Sequence, residues 1–497
     1  MHQLRKFAVR FSLGTVLLAA AAGACSDLPT APVPVLPPSS LSLSSASGIP
    51  TGKTVVVFRD TASIPAAGLS LLTSLGGTVT NKWDDIGVAI VSGLSVESLT
   101  ALRASDLVED AGNDRILNWL PGLRVGPTAS GGSGSLPNGD PWLASYYADG
   151  TQWSMRVIKA DKAWTAGFQG TPTTRVAIVD TGIDYTHRET RGLVDLAASK
   201  SFSNLIVSES ETGVEANLPI EPQYPGDEPF MDNHFHGTHV GATVASNNVS
   251  VAGVAPRVTL IAVKVLSMIG SGTFESVASG ILHASGPANA DIINMSLGAN
   301  VDKNEDGVRA LLKFMERTIR KAEKDGAIVI SAAGNDALDL DVGSVVSTPC
   351  EQSTMCVSAT GPLLQQNFDQ PATYTNFGIT AIEVAAPGGN ATDNDSEYVV
   401  EDLVIGACSS RASDGTLNAC RINAAGGPHL YVFAAGTSMA SPHVAGIAAQ
   451  LKSQNPTLSV KGLRDRIQKT ADDVGVAGRD VYTNHGRINV ARALGLE

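Results

Sequence analysis

Four short stretches of this 497-residue chain hold side chains that could act together on an acyl group. In Ala434-Ala435-Gly436-Thr437-Ser438-Met439-Ala440-Ser441-Pro442-His443, small residues precede a hydroxyl and an apolar run follows over 444–451. The pattern predicts a tight turn feeding a helix, with Ser438 at the start among free backbone N–H groups and the positive end of the helix dipole. Pro442 is expected within the first turn, where its missing N–H costs nothing. A hydroxyl held there could attack an acyl carbon while neighbouring N–H groups receive the developing oxyanion. The plainer alternative is a serine that only caps a buried helix.

Three further stretches bear on that choice. Val176-Ala177-Ile178-Val179-Asp180-Thr181-Gly182 reads as a buried strand ending in an acid and a turn. His234-Phe235-His236-Gly237-Thr238-His239 sets an imidazole at the start of a helix, and Ile328-Val329-Ile330-Ser331-Ala332-Ala333-Gly334-Asn335 ends a strand in an amide. Acid, histidine, serine is one of the chain orders in which a triad occurs. A neutral hydroxyl needs a base in reach, and imidazole titrates near neutral pH, so His236 would be that base. Asp180 would orient the ring and stabilise its charged form, and Asn335 would join the Ser438 N–H as an oxyanion donor.

The blocks D-T-G-I-D, H-G-T-H-V, A-A-G-N and G-T-S-M-A-S-P-H resemble the signature of the subtilisin-like serine proteases, the subtilases, over about residues 150–495 and in family order. The resemblance implies a protein- or peptide-cleaving enzyme that needs no cofactor for its chemistry. It implies that Ser271 and Gly272 lie in an edge segment pairing with an extended substrate. Ser296, Leu297 and Gly298 would form the opposing segment and a wall of the specificity pocket. It makes His187, His239, His443 and Ser441 structural. Asn247-Asn248-Val249-Ser250 resembles the family's calcium loop, and Glu189 stands where an aspartate is common. The run 302–307 begins like an EF-hand loop but has Lys313 at its twelfth position. Structural calcium stays open, and no metal residue is assigned.

These side chains need a scaffold. Strands near 176–180, 259–266, 291–295 and 328–332 alternate with helices near 275–283 and 308–324, which predicts an α/β fold: a mostly parallel sheet with helices on both faces. Such folds gather ligand-binding groups at the carboxyl ends of the strands. Ahead of it, strand 54–58, helix 69–75, strands 78–80 and 87–91, helix 96–103 and strand 107–110 give the order β-α-β-β-α-β of a small ferredoxin-like α+β domain. Its size and position resemble the inhibitory propeptide of subtilases.

The expected organisation is a signal peptide over 1–24, a Pro/Ser-rich tether over 25–52, the propeptide domain over 53–120, a linker and processing region over 121–149, and the peptidase domain over 150–497. Arg5, Lys6 and Arg10 followed by a short apolar run read as an export signal, too short for a membrane-spanning helix. Ala22-Gly23-Ala24-Cys25 resembles a bacterial lipobox, which implies acylation of Cys25; an ordinary signal with an incidental cysteine is the alternative. Contact with a membrane would come only through that lipid. Cys350, Cys356, Cys408 and Cys420 remain, an even count that favours disulfides in an exported chain. Short spacing suggests Cys350–Cys356 and Cys408–Cys420 among three connectivities. A net charge of −13 without a basic patch disfavours nucleic acid. An acidic run over about 203–231 reads as a surface insertion.

The expected function is an exported, autoprocessed serine endopeptidase acting through an acyl-enzyme, with its own propeptide as inhibitor. The alternative is a non-catalytic surface binding module on the same scaffold.

Overall fold

The computed structural model describes residues 48–131, 139–203, 224–392, 398–412, 420 and 430–497, all within one unit, Pro32–Glu497. The N-terminal portion runs β1 (Ile49–Phe58), α1 (Ala66–Ser74), β2 (Thr78–Trp83), β3 (Val88–Ser92), α2 (Val96–Arg103) and β4 (Val108–Asn118). These strands pair antiparallel in the order β2-β3-β1-β4. Alternation along β1 explains how the layer packs. Val56 and Phe58 join Leu72, Leu99 and Leu102 beneath α1 and α2, while Val55 and Val57 face the other way.

Next come β5 (Arg124–Ser130), the short helices α3 (Ser145–Asp149), α4 (Ser154–Val157) and α5 (Ala160–Thr165), then β6 (Arg175–Asp180), β7 (Lys200–Ser201) and α6 (His236–Val244). They are followed by β8 (Thr259–Lys264), β9 (Ser271–Thr273), α7 (Phe274–Ser285), β10 (Ile292–Met295), β11 (Ala299–Asp302), α8 (Val308–Asp325), β12 (Ile328–Ala332), β13 (Val345–Thr348), β14 (Met355–Thr360) and β15 (Val384–Pro387). The chain ends with β16 (Val404–Ala407), β17 (Leu430–Ala435), α9 (Thr437–Gln454), α10 (Val460–Lys469) and α11 (Val490–Ala493).

Seven of these strands form a parallel sheet in the order β15-β14-β12-β10-β6-β8-β7. Both faces are covered, as the alternation along β6 shows. Val176 and Ile178 pack with Val444 and Ile447 of α9, whereas Ala177 and Val179 pack with Phe274 and Ile281 of α7 and Phe314 of α8. This is the α/β architecture with helices on both faces. In α8 the buried positions Val308, Leu311, Phe314, Met315, Ile319 and Ala322 trace one helical stripe. The free face of the N-terminal sheet lies on α7 and α8, with the rings of Trp83 and Phe314 5.1 Å apart.

Three features depart from the sequence reading. Strand β4 runs to Asn118 rather than ending near 110, because Ile116, Leu117 and Asn118 pair antiparallel with Thr273, Gly272 and Ser271 of β9. The expected linker contains β5, which pairs with β17, and α3, whose Tyr147 is buried. Residues 132–138 of its Gly/Ser run lie outside the described residues, as do Cys25, the signal and tether before 48, and 204–223 of the acidic insertion. Pro442 lies beyond the first turn of α9. The bond its nitrogen cannot give to the Ser438 carbonyl is supplied by the Ser296 hydroxyl at 2.8 Å. Disulfides join Cys350 to Cys356 and Cys408 to Cys420.

Candidate active site

Asp180 is the last residue of β6, at the carboxyl end of the central sheet, and is fully buried. His236 is the first residue of α6. Its Nδ1 lies 2.8 and 3.0 Å from the two carboxylate oxygens of Asp180. A proton on Nδ1 leaves Nε2 free to accept another, and among the described residues this buried Nε2 has no hydrogen-bond partner. Asp180 Oδ1 also accepts from the Thr181 N–H at 2.7 Å. The two elements meet closely at Gly237, where a Cβ would come 2.0 Å from the Gly182 carbonyl oxygen, so only glycine lets α6 start there.

Beneath this pair lies a buried acid that the sequence reading did not single out. Asp232 accepts from Thr181 Oγ1 at 2.9 Å, from the His234 N–H at 2.9 Å, and from the Thr238 N–H and hydroxyl at 2.9 and 2.6 Å. Burial raises its carboxyl above the ordinary value, while the Lys264 charge opposes the rise. Lys264 is itself buried and donates to the Thr181 carbonyl at 2.6 Å. An acid four residues ahead of the histidine and a lysine closing an apolar strand were the available signals.

Ser438 is the second residue of α9 and only 3% exposed. Its hydroxyl donates to the Ser296 carbonyl at 3.0 Å. Asn335 follows β12, and its side chain is held at both ends. Its Oδ1 accepts from the Thr437 N–H at 2.8 Å and the Thr437 hydroxyl at 3.0 Å, which turns Nδ2 towards the cleft. There Nδ2 donates to the Pro121 carbonyl at 3.0 Å. Thr437 therefore orients the amide, a task its place next to Ser438 did not reveal.

The two segments expected to bind substrate both hold the chain's own residues. Ser271 and Gly272 pair with Asn118 and Leu117, and the Trp119 N–H donates to the Gly270 carbonyl at 2.9 Å. Across the cleft the Gly298 N–H donates to the Trp119 carbonyl at 2.9 Å. Leu297 is buried in the core shared with Trp119 and Leu120. Ser296 Oγ lies 2.7 Å from Ser441 Oγ, which ties Ser441 into the scaffold.

The remaining histidines are pinned. His239 Nε2 lies 3.2 Å from the Val404 carbonyl and His443 Nδ1 lies 2.8 Å from that of Met439. Burial pushes these rings down to about 3 and about 4, which keeps them neutral. His187 Nε2 lies 3.3 Å from the Leu430 carbonyl. Among the described residues no group of three or more His, Cys, Asp or Glu side chains is placed to hold a metal ion.

The loop that resembles a calcium site closes around Glu189. A cation there needs carbonyl and carboxylate oxygens turned inward. Instead the loop turns N–H groups onto Glu189, whose carboxylate accepts from Val249 N at 3.0 Å, Ser250 N at 2.7 Å, Ser246 Oγ at 2.7 Å and Tyr431 Oη at 2.5 Å. These residues do not fit calcium; the carboxylate does the cation's work of gathering the loop. In the 302–307 run, Glu305 and Asp306 are paired with Arg115 and Arg103. Glu189→Gln is expected to cost about 1.5–3 kcal/mol, the range for a hydrogen bond to a charged group, read as a lower melting midpoint. Chelator is expected to leave the wild-type midpoint in place. A chelator-induced fall that calcium reverses, and that Glu189→Gln lacks, would put a cation in this loop.

Known proteins resemble this chain in sequence and in fold. Residues 172–495 match the model of the subtilase family. Subtilisin NAT of Bacillus subtilis subsp. natto is 31% identical over 353 residues, which cover 71% of this chain and 73% of the relative. A thermostable alkaline protease of Halalkalibacterium halodurans is 32% identical over 344 residues, covering 69% and 73%. Among solved structures, the epidermin leader peptide processing serine protease of Staphylococcus aureus superposes with a TM-score of 0.66 at 19% identity, covering 89% of this chain and 98% of that one. A lanthipeptide protease gives 0.56 at 23% identity, covering 73% and 100%. These likenesses in structure speak for the fold. With a family match across most of its length and the fold to go with it, the chain belongs to the subtilase family and is a serine-type endopeptidase acting on protein or peptide substrates.

Proposed function

We propose that this is an exported endopeptidase made as a self-inhibited precursor, with Asp180, His236 and Ser438 as its triad. The observation that carries the reading is the course of residues 116–121, which lie along both substrate-binding segments and bring the Pro121 carbonyl to Asn335. In catalysis Ser438 Oγ attacks the scissile carbonyl carbon and its proton passes to His236 Nε2. Asn335 Nδ2 and the Ser438 N–H receive the oxyanion. Collapse expels the amine with the proton from His236, and water releases the acyl group by the reverse sequence. Asp180 keeps the ring oriented and compensates its charge.

The N-terminal portion acts as the intramolecular inhibitor in this reading, and export would begin with the signal over 1–24. Cys25 would carry the lipid that anchors the precursor, and cleavage behind the inhibitor would release the peptidase. No helix among the described residues is long and apolar enough to cross a membrane. The test is fractionation of cells making wild type or Ser438→Ala. Wild type is expected to yield a soluble fragment beginning after residue 120, and Ser438→Ala a full-length, membrane-bound chain. A wild-type peptidase domain still joined to Cys25 would overturn the release step.

One contact makes the inhibition pH-dependent. Asp114 of β4 is buried and accepts from the first N–H groups of α7, those of Phe274 at 3.1 Å and Glu275 at 3.3 Å. Burial, with the Glu275 charge adding to it, pushes the Asp114 carboxyl up to about 7 from its ordinary 3.8. The docked state therefore binds a proton more tightly than the released one. Its advantage is complete below about pH 4 and is lost as pH rises through about 7. The N-terminal portion is expected to leave the processed complex faster at pH 8 than at pH 5, and Asp114→Asn to flatten that difference. Equal release rates at both pH values in wild type would contradict it.

A further inference from the structure

The segment in the cleft is continuous, and its register singles out one bond. Trp119 is gripped on both sides, by Gly270 and by Gly298. Beyond the cleft, Arg124 and Val125 pair with Ala435 and Ala434 of β17, the strand that leads straight to Ser438. Between these two grips, the carbonyl on the Asn335 amide is that of Pro121. Gly122 makes this approach feasible. Its φ is +64°, and a Cβ there would lie 2.9 Å from both Cβ and O of Asn335. Any other residue would be strained and would push the chain off the amide.

Proline at 121 has a second consequence. Trp119 meets Gly298, whereas Pro121 meets Asn335, which holds Thr437 beside Ser438 and its partner Ser296; the two segments therefore run in opposite directions and residue 121 comes nearest Ser296. An ordinary residue there would offer its N–H to the Ser296 carbonyl; proline has none. That carbonyl accepts the Ser438 hydroxyl instead, while among the described residues His236 Nε2 has no partner. The nucleophile is thus parked away from its base.

Building on the triad reading above, we infer that Pro121–Gly122 is the bond the precursor presents to its own site, and that Pro121 slows its hydrolysis by leaving Ser296 to hold Ser438. Hydrolysis consumes one water and yields the Pro121 carboxylate and the Gly122 amino group. An N–H at position 121 competes with the Ser438 hydroxyl for the Ser296 carbonyl and so favours the hydroxyl's return to His236.

The test follows conversion of the full-length chain over time, with N-terminal sequencing of the product. Wild type is expected to start at Gly122. Pro121→Ala and Pro121→Ser are expected to start at the same residue but convert about tenfold faster, the scale of one hydrogen bond gained at the reacting centre. Gly122→Ala is expected to convert more slowly than wild type. A wild-type N-terminus elsewhere would overturn the bond assignment. Both Pro121 variants converting no faster than wild type would overturn the parking role, provided that each, combined with Ser438→Ala, accumulates as folded full-length chain. Conversion of Ser438→Ala alone at the wild-type rate would instead overturn the triad reading, so the two failures are distinct.

Discussion

Ser438→Ala is expected to lower kcat for peptide hydrolysis by about 10⁶, a magnitude known for subtilisin rather than one obtained from this geometry. His236→Ala should cost about as much, because nucleophile and base act as one unit. The two variants should differ in stability. Among the described residues the Ser438 hydroxyl donates one hydrogen bond, to the uncharged Ser296 carbonyl, so its loss strands no buried charge. Removing His236 strands the Asp180 carboxylate, fully buried and left, among the described residues, with the Thr181 N–H. An uncompensated buried charge typically costs about 3–5 kcal/mol. Ser438→Ala should therefore melt close to wild type and His236→Ala well below it. Peptide hydrolysis together with thermal melts checks both statements, and hydrolysis by Ser438→Ala within tenfold of wild type would sink the nucleophile assignment.

Asn335→Ala is expected to lower kcat by about 10²–10³ with little change in KM, again on the scale set by the corresponding amide of subtilisin. The donor meets an oxygen whose charge grows only as the tetrahedral intermediate forms, so transition-state binding is what is lost. Alanine also removes the acceptor for Thr437, which could disturb the start of α9. Asn335→Asp separates the two effects. It keeps an acceptor for Thr437 but replaces the donor by a negatively charged oxygen, and it should be at least as slow as alanine. If Asn335→Asp retained near-wild-type kcat, the amide would be a scaffold element and not an oxyanion donor.

The chemistry was legible because it is concentrated at the ends of elements with strong local patterns. Asp180 closes a run of β-formers, His236 opens a helix just ahead of Gly-Thr-His, and Ser438 sits between small residues and an apolar helix. Two-sided burial of β6 and β8 follows from unbroken apolar runs, so the parallel sheet was legible as well.

What was missed depends on partners distant in sequence. Strand β5 contains Gly126 and Pro127 and has little strand character of its own; it exists because β17 offers an edge. The middle of β4 contains Gly112, Asn113 and Asp114, and the strand continues past them because residues 116–118 pair with β9. Lys264 lies within the strand expected over 259–266 with no role read for it, yet it is buried against the Thr181 carbonyl. Glu189 stands where the family commonly has an aspartate, and only the direction of the surrounding N–H groups shows that it gathers the loop. In each case the deciding fact is a hydrogen-bond direction or a tertiary pairing, which residue types alone do not carry.

The central claim is that Ser438 is a nucleophile activated by His236, and its most direct test is labelling of the processed enzyme with an active-site serine phosphonylating probe. Digestion and mass spectrometry are expected to place one phosphonyl group on Ser438 in wild type, none in Ser438→Ala, and a much slower reaction in His236→Ala. A label on another residue, or a wild-type enzyme that hydrolyses peptide yet takes up no label at Ser438, would contradict the account.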